Sequence, residues 1–310
     1  MPEISIVMLN YNSFEDLIEC YNNLKLQKDV KLKYIIVDNN SKIECVNQLK
    51  EWQESLSNSV IVKELDNFTK TDEIDIFFYF NKNNSGYSAG NNIGVKISEK
   101  LGINSILISN PDMRYNDNNY CLELYKTLNG NTQIKISSSR IIGLDNKDQS
   151  PLREISFIEE VFWIRDFIPF YKKNYSYIDD FNKNSISTVN KVMGCSFMIK
   201  LDFLKEIGYF DEDTFLYSEE AILSSQIKKA SGIIKFNPNI KAFHAHDTSK
   251  KDNSSRRMLL MIKSRKYYLK KYSGYNIIQL TLLNISYLFL PFSFASFKAV
   301  EAFLRRFSLP

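Results

Sequence analysis

Cysteine is scarce and scattered. Cys20, Cys45, Cys121 and Cys195 stand far apart, with no CxxC pair and no closely spaced framework. That spacing argues against a disulfide scaffold or structural zinc site, and free thiols in a reducing compartment are expected. Histidine is scarcer, with His244 and His246 alone in the chain. Ten glycines and seven prolines are too few for a collagen-like or low-complexity protein. No GxGxxG follows the first apolar run, where Leu9-Asn10-Tyr11-Asn12 stands instead, and no P-loop is present, so neither nucleotide motif is supported. A long uninterrupted apolar run is missing too: Ile277–Val300 is broken by Gln279, Asn284, Pro291 and several serines. A spanning helix needs about 20 predominantly apolar residues. The first strand-like run starts at residue 4, leaving no space for a cleavable leader, and a protein that is not secreted is expected.

What is present is a globular mixture. The 310 residues are 44% hydrophobic and 25% charged, and 22 Phe with 18 Tyr supply a substantial core. This length fits one large domain, with or without a small appendage. The net charge of +4 is unevenly placed. Residues 247–275 set nine Lys and Arg against Asp247 and Asp252, a balance of +7, and residues 276–310 add +2. Residues 1–246 therefore carry −5. An acidic body with a basic, aromatic-rich tail points to an anionic surface met by the C-terminus. No nucleic-acid-binding motif accompanies the charge, so nucleic acid is not the expected partner.

Short apolar runs alternate with helical patterns along the first two-thirds. Strands are predicted at Ile4–Leu9, Tyr34–Val37, Val60–Leu65, Ile76–Phe80 and Ser105–Ser109, with a helical pattern through Leu17, Ile18, Tyr21 and Leu24 and helices near 43–56 and 87–100. Such alternation predicts an α/β protein with a mainly parallel central sheet flanked by helices. Ligands of such sheets bind beyond the carboxyl ends of the strands. The unusual polar clusters of this chain fall there, after Leu9, Val37, Phe80 and Ser109. Residues 145–190 follow no clear pattern. Beyond them a strand is predicted at Val189–Ile199, helices near 201–207 and 219–230, and two short strands at Ile233–Phe236 and Lys241–His246. Residues 1–250 are thus expected to form the main domain and 251–310 a C-terminal helical extension. That extension carries a basic helix near 253–272 and fits amphipathic helices lying in a membrane interface. Packing on the body or in a homodimer is the alternative, and a true span a third.

Several constellations could carry chemistry. Asp38 closes a buried strand, where a carboxylate is costly unless used. It suits a hydrogen bond to a nucleotide base or ribose, or equally an Asx-turn or N-cap in Asp38-Asn39-Asn40-Ser41. Asn110-Pro111-Asp112 also ends a buried strand, and Asp112 is either a hard oxygen ligand for Mg²⁺ or Mn²⁺ or part of a turn. Gly86, Gly90 and Gly94 recur every fourth residue and leave a bare ridge open to a backbone or ligand. Glu219-Glu220 opens a helix, as a charge bias favoured by the helix dipole or as a general base. His244 and His246 share one side of a strand, as metal ligand or as satisfied hydrogen-bonder.

In their order along the chain, Leu9-Asn10-Tyr11-Asn12, Val37 to Ser41, Asn83 to Gly94, Asn110-Pro111-Asp112, Met193-Gly194-Cys195, Gly208 to Glu220 and Pro238 to His244 resemble the family 2 glycosyltransferases. Within that family they are similar to a bacterial rhamnosyltransferase-like branch, over about residues 3–250. The resemblance implies a GT-A fold and an inverting, metal-assisted transfer from a UDP- or dTDP-sugar to a lipid-linked or polysaccharide acceptor. It implies nucleotide and donor contacts at Leu9, Asn10, Tyr11, Asp38, Asn83, Gly86, Tyr87, Gly90, Asn91 and Asn110. Asp112 would be the metal-binding member of a DxD-type motif, with His244 near the metal, and Gly194 and Cys195 would lie on the acceptor side. The family's Glu-Asp base pair reads Glu219-Glu220 here, with Glu220 the expected base and Glu219 second. An enzyme on the inner face of the cell membrane is expected. A non-catalytic sugar-nucleotide-binding assembly subunit is the alternative; it would have no need of the base.

Overall fold

Ile4, Ile6, Val7 and Met8 have essentially no exposed surface, and their run is the strand around which the first half of the sheet is built. The computed structural model describes residues 1–65, 73–162, 185–245 and 254–288. In chain order, β1 (Glu3–Asn10), α1 (Phe14–Leu24), β2 (Lys31–Asp38), α2 (Ile43–Glu54), β3 (Ser59–Ile61), β4 (Ile76–Phe80), α3 (Tyr87–Leu101) and β5 (Ser105–Ser109) come first. They are followed by β6 (Met113–Arg114), α4 (Tyr120–Leu128), β7 (Ile134–Gly143), α5 (Phe157–Val161), β8 (Ser187–Val189) and β9 (Ser196–Lys200). The series closes with α6 (Leu201–Glu206), α7 (Glu219–Lys229), β10 (Ile233–His244) and α8 (Ser254–Lys271). Residues 277–288 are helical as well.

The strands form one sheet in the order β3-β4-β2-β1-β5-β9-β7-β10-β6, with β8 also on β10. It is parallel from β3 through β5, as the alternation of strands and helices predicts. Beyond β5 it is mixed: β9 runs antiparallel between β5 and β7, and β10 lies parallel to β7. Successive residues of β1 point to opposite faces. Ile6 and Met8 therefore join the core under α1, α2 and α4, while Val7 joins the core under α3, α6 and α7.

Three expected elements differ. The strand predicted at Val60–Leu65 is the shorter β3, Ser59–Ile61. The single strand predicted at Val189–Ile199 is two, β8 on β10 and β9 between β5 and β7, separated by an irregular segment at Asn190–Cys195. The two strands predicted at 233–236 and 241–246 are one strand, β10, with a register shift between Asn237 and Lys241. Pro238 lies in that shift, where a residue without a donor N–H is tolerated. His246 lies outside the described residues.

The C-terminal helices pack on the body. Ile262, Leu269, Leu283 and Tyr287 form a third core with Phe157 and Val161 from α5. Arg265 pairs with the buried Glu160, which also accepts from Tyr287. Ser264 Oγ donates to Leu216 O at 2.7 Å, and Tyr267 and Lys271 bind Asp211. Among the described residues no helix is long and apolar enough to cross a membrane.

Candidate active site

Asn10 ends β1 beside Asp38 at the end of parallel β2. Asn10 Nδ2 donates to Asp38 Oδ1 at 2.9 Å, and Ser41 N donates to Asp38 Oδ2 at 3.0 Å. Both carboxylate oxygens of Asp38 thus serve the protein, in the Asx-turn that the sequence allows. Asn12 N donates to Ser41 Oγ, and Lys42 N to Asn12 Oδ1, so the loops after β1 and β2 are laced together. Tyr11 stands exposed on this rim and Leu9 is partly buried.

The third loop, after β4, joins the same lattice. Asn39 Nδ2 donates to Asn84 Oδ1 (2.9 Å) and to Gly86 O (3.1 Å), while Asn81 Nδ2 donates to Asn39 Oδ1. Asn83 itself is exposed and contributes no hydrogen bond to this lattice; Asn84 does the work. Gly86 adopts φ +99°, and a Cβ there would lie 2.4 Å from Phe215 O, so glycine is required on both counts. The bare ridge of α3 serves packing: a Cβ on Gly90 would meet Leu9 Cδ1 at 2.4 Å, and one on Gly94 would meet Val7 Cγ1 at 2.4 Å. The close approach is therefore that of β1 side chains. Asn91 is buried, gives its Nδ2 to Tyr87 O, and leaves Oδ1 buried without a hydrogen bond.

Asp112 and His244 meet because β6 pairs antiparallel with the end of β10. Ala245 N donates to Asp112 O at 2.8 Å, and His244 Nε2 lies 3.4 Å from Asp112 Oδ2. On its other side His244 Nδ1 meets Gln149 Oε1 at 2.8 Å. An amide oxygen only accepts, so Nδ1 carries the proton and Nε2 turns toward the carboxylate. Two acceptors so placed converge on a proton or a cation, and a backing carbonyl on the far ring nitrogen is the usual support of a metal-binding histidine. The oxygen and nitrogen donors suit Mn²⁺ or Mg²⁺. Among the described residues no group of three or more His, Cys, Asp or Glu side chains assembles a metal cage. Such a pair leaves the remaining positions to substrate phosphates and water.

Glu219 and Glu220 open α7. Two successive left-handed residues, Tyr217 (φ 76°) and Ser218 (φ 71°), swing the chain into the helix, a strained arrangement of the kind found at functional sites. Gly194 N donates to Glu220 Oε1 at 3.3 Å, and a Cβ on Gly194 would stand only 3.0 Å from that oxygen. Tyr87 OH donates to Gly194 O at 2.7 Å. Burial, with Glu220 alongside, pushes the Glu219 carboxyl up to about 8, and its Oε1 is buried without a hydrogen bond.

One segment links the two halves. Asn110 N donates to Cys195 O at 2.8 Å, and Gly194 next to it touches Glu220. The Cys195 thiol is buried and pushed well above its ordinary value by burial, with Asp112 and Glu220 adding to it. It is an inert spacer between the Asp112 side and the Glu220 side, not a nucleophile. Beyond the predicted residues, Asn39, Ser41, Asn84 and Gln149 complete the site. So does Asn92, which clamps the loop before α7 through Phe210 N, Phe210 O and Glu212. The Asn-rich runs after β2 and β4 are the signal that could have found the first three.

Residues 5–207 match the family description "Glycosyl transferase family 2". A curated relative, the low-salt glycan biosynthesis hexosyltransferase Agl10 of Haloferax volcanii, is 27% identical over 222 residues. The match covers 71% of this chain and 60% of the relative, so the chain spans well under the relative's full length. Among solved structures, S. aureus TarS 1–349 in complex with UDP superimposes with a TM-score of 0.53 at 12% identity, covering 91% of this chain and 70% of TarS. The mannosyltransferase PcManGT from Pyrobaculum calidifontis, in complex with GDP-Man and Mn²⁺, gives a TM-score of 0.56 at 11% identity, covering 93% and 70%. At such identities the likeness is one of fold, and the fold is the expected GT-A architecture.

Proposed function

The chain belongs to glycosyl transferase family 2, and on that footing we propose that it moves a hexose from a nucleotide-diphosphate sugar to a hydroxyl of a lipid-linked or growing polysaccharide acceptor. The observation that carries this reading is the juxtaposition, through Asn110, Gly194 and Cys195, of the Asp112–His244 pair with the Glu219–Glu220 pair. The donor would lie over the ends of β1, β2 and β4, against Leu9, Asn10, Tyr11, Asp38 and the start of α3. The fold neighbours carry UDP or GDP-Man, the latter with Mn²⁺, which supports a nucleotide-sugar donor and a divalent ion here. UDP- and dTDP-sugars remain the donors proposed from the sequence.

Asp112 and His244 would hold the ion, with Gln149 fixing the imidazole. When bound, it supplies Lewis-acid neutralisation of the charge on the departing nucleoside diphosphate. Glu220, oriented by Gly194 N, takes the acceptor hydroxyl proton as that oxygen attacks C1. The new C1–O bond forms as the C1–phosphate oxygen bond breaks on the opposite face, so one displacement inverts the anomeric centre. Burial and the neighbouring Glu220 push the Glu219 carboxyl up, which disfavours a second negative charge in the pocket.

Helix 277–288 presents Ile278, Leu282 and Ile285 exposed at i, i+4 and i+7. With the basic balance of the tail, this supports peripheral contact with an anionic lipid surface, where a lipid-linked acceptor would be met. The test of the chemistry is nucleotide-sugar binding by thermal shift with and without Mn²⁺, paired with transfer assays. Glu220→Gln should lower transfer by about 10²–10⁴-fold while sparing the Mn²⁺-dependent shift, and Asp112→Asn should lose that shift. Wild-type turnover in Glu220→Gln would overturn the assignment.

A further inference from the structure

A pocket of about 300 Å³ lies between α7 and α8 and has no part in the chemistry above. Ala221 and Ser224 form its α7 wall, and Ser224 also lines the small cavity behind Glu219 and Glu220. The pocket therefore begins about one helical turn from the base. Three cations border it, Lys191, Lys228 and Arg265, against the single carboxylate of Glu154.

Two of the three cations are committed. Lys228 pairs with Glu154, and Arg265 pairs with Glu160. Lys191 is different. Its main chain is fixed by a bridge to Leu152, yet its ammonium has no hydrogen-bond or ion-pair partner among the described residues. Burial draws its pKa below the ordinary lysine value, against the opposing fields of Glu220, Glu154 and Glu160. An ammonium partly removed from water without a hydrogen-bonded counter-ion costs stability. The fields of those carboxylates reach it, but no described residue hydrogen-bonds it, which leaves its donors to an anionic ligand. Tyr268, Tyr272 and Tyr275 line the same pocket. Their rings offer apolar faces with polar tips, a surface suited to a sugar ring next to the anion.

We propose that this pocket receives a phosphate group of the acceptor, with Lys191 as its counter-ion, so that the acceptor is a phosphorylated glycan or glycolipid rather than a neutral sugar. The assignment rests on the glycosyl-transfer reading for the word acceptor, but the anion site stands on its own geometry. Bound there, the phosphate would anchor the acceptor one turn along α7 and leave its hydroxyl within reach of Glu220.

Inorganic pyrophosphate, titrated calorimetrically into the full chain in EDTA, tests it. Chelation removes the ion on which donor-site diphosphate binding depends, so the remaining heat reports this pocket. Saturable binding is expected, weakened at least about tenfold in Lys191→Gln and kept in Lys191→Arg and Asp112→Asn. Lys191→Met should unfold at or above the wild-type temperature, because it removes a partly buried ammonium that has no hydrogen-bonded partner among the described residues. Absence of metal-free pyrophosphate binding, or binding unaltered in Lys191→Gln, overturns the proposal. So does a fall in Tm of more than about 3 °C in Lys191→Met, which would make Lys191 a structural residue. A parallel titration with farnesyl diphosphate separates the sources of the anion: tighter binding than pyrophosphate identifies a lipid diphosphate, and equal binding identifies the phosphate alone. The donor reading fails separately, through loss of every Mn²⁺-dependent nucleotide shift in the wild type.

Discussion

Glu219 illustrates how a single residue's environment rewrites its chemistry. Its carboxyl is pushed up to about 8 by burial first and by Glu220 second. A carboxyl with a raised folded-state pKa binds more protons in the native than in the unfolded chain. Its contribution to stability is fully present below its unfolded value near pH 4 and is lost as the pH rises to about 8. Glu219→Gln is neutral at every pH and should therefore gain on the wild type progressively as the pH rises across that window. Paired melts between about pH 5.5 and 8.5 check this, and a Tm difference that stays constant would place the pair's proton elsewhere. Sequence alone picked out Asp38, Asp112, Glu219 and Glu220, because polar residues that close apolar strands or open helices stand out in one dimension. Gln149 and Lys191 did not stand out. Their roles arise from partners distant in the chain, Gln149 being brought to His244 across 95 residues.

At the scale of elements, α3 and β1 show how close packing positions the site. Glycines at 90 and 94 let the helix settle on Leu9 and Val7, and that contact places Tyr87, at the start of α3, against Gly194. Gly94→Ala should overpack this contact, since Val7 is buried and stiff at χ1. A loss of about 1–3 kcal/mol in chemical denaturation is expected, and an unchanged midpoint would show that the helix shifts freely. The parallel strands β1, β2, β4 and β5 and their helices were legible because period-two and helical patterns are local properties. The division of 189–199 into β8 and β9 was not. Gly194 breaks the strand to admit the Glu220 carboxylate, an event decided by α7 from 26 residues away.

At the scale of the molecule, the cations of the basic tail fall into two groups. Arg265 and Lys271 are spent on Glu160 and Asp211, docking α8 on the body. Lys263 and Lys270 stay exposed, alongside the apolar stripe of helix 277–288. Flotation with phosphatidylglycerol-containing vesicles should therefore capture the protein and release much of it at high salt. Ile278→Glu with Leu282→Glu should abolish capture without lowering Tm. Equal flotation with neutral vesicles would refute the electrostatic part, and equal flotation of the double variant the apolar part.

The sequence by itself determined the α/β alternation, the family and the carboxylates of the candidate site, because each is written in local pattern or in the order of short motifs. Only the tertiary structure decided that Asp38 accepts from Asn10 and Ser41, that the Glu219 carboxyl is pushed up by burial, that His244 is backed by Gln149 and that α8 docks on α5. Those outcomes depend on burial and on contacts between distant segments. Desolvation and hydrogen-bond pairing exist only once the chain has folded.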